Sequence, residues 1–223
     1  MSRAHYFSTG NLVGLYTSAT IVSMSWLTQL LDIFFPPSPY ELRIRALTHA
    51  KLAALRTLPH ARDTEHLFFY AHDDIRALIW QLKYKRDARA VDLLSTALHA
   101  HLSETVRHDS LVIPMPLSTV RMRERGFNQV NAICKKAVSE LPFCILAPNI
   151  LMRTHAAPQT TLTRYERLKN LSGTFYVPTP ETVTGKDVIL VDDVTTTGAT
   201  FREAKAALIA ANVRSVRCIA LAH

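Results

Sequence analysis

The sequence predicts an α/β domain, a mostly parallel sheet flanked by helices, with a small helical arm in front of it. Three observations carry this. Short apolar, β-branched runs closed by turn residues alternate with segments whose apolar residues recur at three and four, the pattern of strand–helix–strand units. The clearest run, Asp187 to Val191, leads through a short polar turn into an Ala-rich helical stretch. Finally, 223 residues that are 48% hydrophobic and 20% charged can bury a sizeable core, which excludes wholesale disorder and a fibrous architecture.

From the beginning of the chain, no Lys, Arg, Asp or Glu falls between Arg3 and Asp32. Ser18, Thr20, Ser23, Ser25, Thr28 and Gln29 weaken that stretch as a membrane span, so no stable span is expected. Residues before Met24 read as a leader, and Trp26 to Phe35 as an amphipathic helix. Pro36-Pro37-Ser38-Pro39 is a rigid break, after which Tyr40 to Thr57 returns to helical composition. The division expected is a leader and helical arm over residues 1–62 and the sheet domain over 63–223. Ile75, Leu78, Ile79 and Leu82 predict one amphipathic helix from Asp73; Val91, Leu94, Leu98 and Leu102 predict another after Asp87.

Leu111-Val112-Ile113, closed by Pro114 and Pro116, reads as a buried parallel strand, and Gln129 to Glu140 as a helix with Val130, Ile133, Cys134 and Ala137 inward. A strand near Ile145 to Met152 is expected to be interrupted or delayed by Pro148. The polar stretch Arg153 to Lys169 reads as a functional loop. Gly173 to Val177, Asp187 to Val191 and Val216 to Leu221 are further strands, with a helix over Thr200 to Ala211 between the last two.

A formal charge of +8 favours anionic company: phosphorylated small molecules, nucleic acid or an anionic membrane face. Cys134, Cys144 and Cys218 are odd in number and lack ligand spacing, so neither a disulfide scaffold nor a zinc site is expected, and the histidines show no metal-ligand spacing.

The chemistry concentrates in Asp192-Asp193-Val194-Thr195-Thr196-Thr197-Gly198-Ala199-Thr200. Two acids at the carboxyl end of a buried strand stand where open α/β sheets bind ligands. The small and hydroxylic residues that follow run into a helix, so their amides and hydroxyls can surround a phosphate at its positive end, and Gly198 permits close approach. Carboxylates for hydroxyls beside a cradle for phosphate describe a ribose 5-phosphate unit. The blander reading is a solvated turn and an ordinary helix cap. With one Gly and no Gly-Lys-Ser/Thr, the segment is neither a dinucleotide fingerprint nor a Walker loop.

This segment resembles the 5-phosphoribosyl 1-diphosphate (PRPP) motif of type I phosphoribosyltransferases. Leu82-Lys83-Tyr84, Asp87, Pro114-Met115-Pro116-Leu117 and Arg125-Gly126-Phe127-Asn128-Gln129, with Gln159, Arg164, Glu166, Arg167, Asn170 and Phe175, extend a finer resemblance to ComF-type competence proteins over roughly residues 65 to 221. The resemblance implies a type I phosphoribosyltransferase-like fold, PRPP bound with Mg²⁺, and a part in taking up transforming DNA, alongside other competence proteins, in the cytoplasm or peripheral to the inner membrane. By it Asp192 and Asp193 read the ribose, Thr195 to Thr200 hold the 5-phosphate, and the turn at Met115, Pro116 and Leu117 faces pyrophosphate. Arg164 and Arg167 lie where relatives have a loop that closes over PRPP. Relatives usually carry a cysteine zinc module after an apolar-Pro-Pro start; here Ser38 and Pro39 follow, with no cysteine near.

Lys83, Tyr84, Lys85 and Arg86, with Arg121, Arg123 and Arg125, can hold single-stranded DNA through phosphate contacts and stacking. They also read as a solvated helix end and a solvated basic face. Two functions from different classes stay open: a phosphoribosyltransferase acting on PRPP, and a non-catalytic scaffold that senses PRPP or binds single-stranded DNA.

Overall fold

A computed structural model describes residues 37–57, 64–153 and 174–223 of the chain. The chain forms two compact units, Met1–Pro39 and Tyr40–His223, and the elements below build the second, the first of them starting at Pro39. The helix expected at Trp26 to Phe35 and the stretch from His155 to Lys169 lie outside the described residues.

The stretch of helical composition from Tyr40 to Thr57 holds two helices, α1 (Pro39–Ala46) and α2 (His49–Ala54). The break has a local cause: Thr48 is extended and its hydroxyl accepts from the Lys51 N–H at 3.2 Å, starting a helix afresh. Arg89 then satisfies the end of α1, donating to the carbonyls of Ile44 at 2.9 Å and Leu47 at 2.8 Å.

Strand β1 (Glu65–Phe68) leads into α3 (Asp73–Tyr84), which buries Ile75, Leu78, Ile79 and Leu82 as the periodicity predicts. Asp87 caps α4 (Ala88–Thr105) with bonds from the N–H groups of Arg89 and Ala90 at 2.8 and 3.0 Å. Buried throughout, β2 (Ser110–Pro114) is followed by a short helix, α5 (Thr119–Arg125), and then α6 (Gln129–Ala137). After β3 (Cys144–Leu146) come β4 (Met152–Arg153), β5 (Phe175–Tyr176), β6 (Asp187–Val194), α7 (Ala199–Ala210) and β7 (Ser215–Ala222).

Five strands form one sheet in the order β1-β7-β6-β2-β3, every pairing parallel, with helices on its faces. This is the predicted fold class. The strand expected near Ile145 to Met152 is interrupted at Pro148, as the sequence suggested: the last ladder bond of β3 runs from the Ala147 N–H to the Val112 carbonyl at 2.9 Å, and Pro148 then offers no donor. β4 pairs with β5 antiparallel, apart from the main sheet.

Alternation along the strands splits the core. Val112, Ile189, Val191, Ile219 and Leu221 pack with α3, α4 and α6; Leu111, Ile113, Val188, Leu190, Cys218 and Ala220 pack with α7 and β5. All three cysteines are buried, and none forms a disulfide. Edge strand β1 is bolted on by Glu65, which accepts from Arg217 of β7 at 3.0 Å and sits 2.8 Å from the His101 ring of α4. Burial opposes ionisation of Glu65, but the His101 and Arg217 bonds outweigh it and bring the carboxyl down to about 2.

The sheet order sets the position of the site. The chain leaving β2 turns toward β3, and the chain leaving β6 turns toward β7, on the other side. Carboxyl ends of adjacent strands whose connections part in this way open a crevice, the place where doubly wound sheets take ligands.

Candidate functional site

β6 remains a strand to Val194, so both acids belong to its last turn of pleat and face opposite sides of the sheet. Asp193, on the side of Val191, is buried with 8% of its surface exposed. Gln129 Nε2 of α6 donates to its Oδ2 at 2.7 Å, Lys83 Nζ of α3 stands 3.2 Å from its Oδ1, and Arg125 Nη1 of α5 lies 3.8 Å from Oδ2. Three helices thus converge on one carboxylate. Asp192 Oδ1 accepts the Asp193 N–H at 2.8 Å. Burial first, and the neighbouring Asp193 charge second, raise the Asp192 carboxyl above its ordinary range, against the pull of that N–H, Lys83 and Arg121.

The loop after the acids is anchored at both ends. The Thr195 N–H bonds to the Ala222 carbonyl at 3.0 Å and the Thr197 carbonyl accepts from Arg202 Nη1 at 2.9 Å. Gly198 takes φ 70°, a left-handed conformation that a side chain would strain; as N-cap it supplies no side-chain bond to α7, whose first amide, Ala199 N–H, reaches only the Thr197 hydroxyl at 3.4 Å. The helix therefore presents its amides and the positive end of its dipole toward the crevice. Thr196, Thr197, Ala199 and Thr200 are exposed there, and Thr195 is buried.

Across the crevice the turn after β2 is held in place. Met115 continues the ladder, its N–H on the Val191 carbonyl at 2.7 Å, and its carbonyl accepts from Asn128 Nδ2 at 2.9 Å. Both backbone groups of Met115 are thereby used, which leaves Pro116 and Leu117 as the half-buried part of the turn. Asn128 also caps α6, accepting from the N–H groups of Val130 and Asn131 at 3.0 and 3.2 Å. Gly126 ends α5 at φ 71°, and a Cβ there would collide with Arg86 Nη2. Arg86 fills that space, donating to the Arg125 carbonyl at 2.5 Å with its guanidinium 5.2 Å from the Phe127 ring centre.

The basic residues fall into neighbouring hollows. Lys83, Tyr84, Arg86, Arg121, Glu124 and Arg125 line a cleft of about 380 Å³. Lys83 and Tyr84 also line a second of about 540 Å³, with Tyr70, Ile79, Trp80 and Lys85, the last of these 6.0 Å from the Trp80 ring centre. Arg123 is exposed on α5 and lines neither.

Of the residues the sequence singled out, Asp192, Asp193, the Thr195–Thr200 loop and the Met115–Leu117 turn meet at one edge of the sheet. Lys83, Tyr84, Arg86, Arg121 and Arg125 gather beside them. Arg164 and Arg167 lie outside the described residues. Sequence reasoning missed Arg202 as a tie on the Thr195–Thr200 loop and gave no partner to Asp193. Arg202 lies only five residues beyond Thr197, a local signal, whereas Lys83 and Gln129 reach Asp193 from distant parts of the chain.

Residues 152–223 match the phosphoribosyl transferase domain family. The chain is similar to DNA utilization protein YhgH of Escherichia coli O157:H7, 32% identical over 164 residues that cover 70% of this chain and 71% of that one. It is also similar to competence protein ComFC of Bacillus subtilis (strain 168), 28% identical over 151 residues covering 66% of this chain and 58% of that one. Among solved structures, the allosteric regulatory enzyme of purine biosynthesis overlaps 63% of this chain and 30% of that one at 16% identity, with a TM-score of 0.43.

Proposed function

Because the chain belongs to the family of the DNA utilization protein YhgH, we propose that its sheet domain binds PRPP at the crevice between β6 and β2 and works as a phosphoribosyltransferase in the handling of incoming DNA. The observation that carries this reading is the junction of β6 and α7: an acid pair, then a loop bent at Gly198 onto a helix N-terminus, at the point where the sheet's connections part.

In this reading the Thr196 to Thr200 amides and hydroxyls hold the 5-phosphate, and Asp192 accepts from the ribose. The pyrophosphate lies toward the Pro116–Leu117 turn and the cationic cleft. As the C1–O bond breaks, negative charge grows on the departing pyrophosphate. Arg121 and Arg125, together with Arg164 and Arg167, are the groups assigned to neutralise it. Asp192 positions the sugar and offsets positive charge on the ring. Mg²⁺ would arrive on the ligand's own phosphate oxygens, and Asp192, the less buried acid of the pair, is the carboxylate that would meet it. There it would neutralise the leaving group.

A non-catalytic role is the competing reading, and the observation favouring it is the aromatic hollow with Trp80 and Tyr84 next to the cationic cleft. Phosphate contacts from Lys83, Lys85, Arg86, Arg121 and Arg125, with stacking on Tyr84, would hold single-stranded DNA delivered by competence proteins at the inner membrane. Two measurements separate the readings. Pyrophosphate release from PRPP and Mg²⁺ in the presence of candidate acceptors, lost in Asp192→Asn, supports catalysis. Oligo-dT binding that weakens steeply with salt and survives Asp192→Asn, with no pyrophosphate released, supports the scaffold. Calorimetry that registers no PRPP binding by folded protein overturns the PRPP site in both.

A further inference from the structure

Asp193 is already occupied. Its two oxygens are taken by Gln129 at 2.7 Å and Lys83 at 3.2 Å, and it is buried. A sugar hydroxyl at this carboxylate shares it with the Lys83 ammonium or displaces it, and a buried carboxylate does not give up that counter-charge without replacement. Gln129 is fully buried within α6 and has no second place to go. Lys83 differs. It stands in the last turn of α3 on a long, flexible stem, and it forms part of the wall of both basic hollows, among Arg86, Arg121 and Arg125.

The cluster also contains bonding capacity that no protein group uses. Arg125 Nη1, 3.8 Å from Asp193 Oδ2, and Gln129 Oε1 are both buried without a protein hydrogen-bond partner. Buried polar atoms are ordinarily paired. A donor at Arg125 and an acceptor at Gln129 flank the carboxylate that Lys83 occupies, so Asp193 keeps a cation and a donor at hand when the ammonium leaves. The arrangement suits two states, one with Lys83 on Asp193 and one with Lys83 in the cleft.

We propose that Lys83 is the specificity residue of the pentose phosphate site: its ammonium occupies Asp193 until a pyrophosphate on the ligand draws it into the cleft, which frees the carboxylate for the sugar. The proposal rests on the PRPP reading and names what makes that site selective. A pentose monophosphate, held at the start of α7, brings no charge to the cleft and must compete with Lys83 for Asp193. A pentose that also carries pyrophosphate supplies the anion for which Lys83 leaves. Discrimination then comes from an exchange of partners, in addition to the direct contacts of the second phosphate group.

The test compares ribose 5-phosphate with PRPP, each with Mg²⁺, by calorimetry on wild type, Lys83→Met and Lys83→Arg. With the ammonium gone, ribose 5-phosphate binds about threefold tighter or more while PRPP binds about tenfold weaker, so the preference between them collapses. Lys83→Arg retains most of the preference. Lys83→Gln, which keeps a donor toward Asp193 without the charge, gives the same collapse and serves if the Met variant does not fold. A Lys83→Met or Lys83→Gln protein that binds ribose 5-phosphate no better than wild type, or that shifts both ligands by one common factor, overturns the exchange while leaving the PRPP site standing. Wild-type protein that binds neither sugar phosphate overturns both.

Discussion

At the first residue of β6, Asp187 is enclosed by donors: Arg214 Nε at 3.0 Å, Ser215 Oγ at 2.6 Å, the His108 ring at 2.8 Å, and a second bond from the Arg214 guanidinium. The Arg214 bonds above all, then that of Ser215, hold its carboxyl well below the ordinary range despite its burial. Near the other end of the same strand, Asp192 accepts one amide, and burial beside a second acid raises it. One strand thus carries a carboxylate used as a fastener to β7 and a carboxylate kept short of partners. In parallel sheets the amino end is closed by its loops while the carboxyl end opens on solvent and ligand. A carboxylate shifted upward at that open end accords with the ligand site proposed above.

The contrast can be broken most directly at Asp192. Asp192→Asn lowers PRPP affinity about 100-fold, the equivalent of about 2.7 kcal/mol, and does not lower the thermal transition; calorimetry and melting of the same sample check both. Asp187→Asn does the reverse, removing about 2 kcal/mol of stability with PRPP affinity unchanged. If Asp187→Asn melted like wild type, the closed end would not be a fastener. Gly126→Ala sharpens the picture, because a Cβ there meets Arg86 and the left-handed backbone is strained as well. It costs about 1–2 kcal/mol, and Arg86→Ala in the same chain recovers the part due to collision.

The smallest effect is in pH dependence, and the two acids contribute with opposite sign. Asp187 titrates lower in the folded chain than in the unfolded one, so its contribution is full above the ordinary carboxylate range and is lost as pH falls through and below it. Asp192 titrates higher when folded. The native state keeps a proton that the unfolded chain has released, and stability declines as pH climbs from the ordinary carboxylate range to the raised value. Urea midpoints across that window fall less steeply in Asp192→Asn than in wild type, and equal slopes would contradict the raised carboxyl.

What the sequence disclosed was local. Val188 to Val191 followed by acids and threonines could be read as strand, site and helix start because each part depends on its immediate neighbours. β1 could not be read: Glu65 and His66 are polar, the strand has four residues, and it is a strand because β7 lies beside it. α5 was hidden for a different reason. It buries no residue, so it has no apolar stripe, and it exists through the Ser118 cap and the Gly126 stop. The partners of Asp193 come from three helices separated along the chain, and nothing in the spacing of Lys83, Arg125 and Gln129 announces that they share one carboxylate.

The order of strands also governs how this protein can be made. Arg217 fastens Glu65 across 152 residues of chain, and at a ribosomal rate of about 5–20 residues per second that interval lasts on the order of ten seconds. Throughout it Leu67 and Phe68, both wholly interior in the finished fold, wait without the ladder that will cover them. The loop after β6 waits as well, since Thr195 is tied to Ala222. Until β7 has slotted between its neighbours, a nascent chain therefore holds one sheet edge and the loop of the candidate site unsecured.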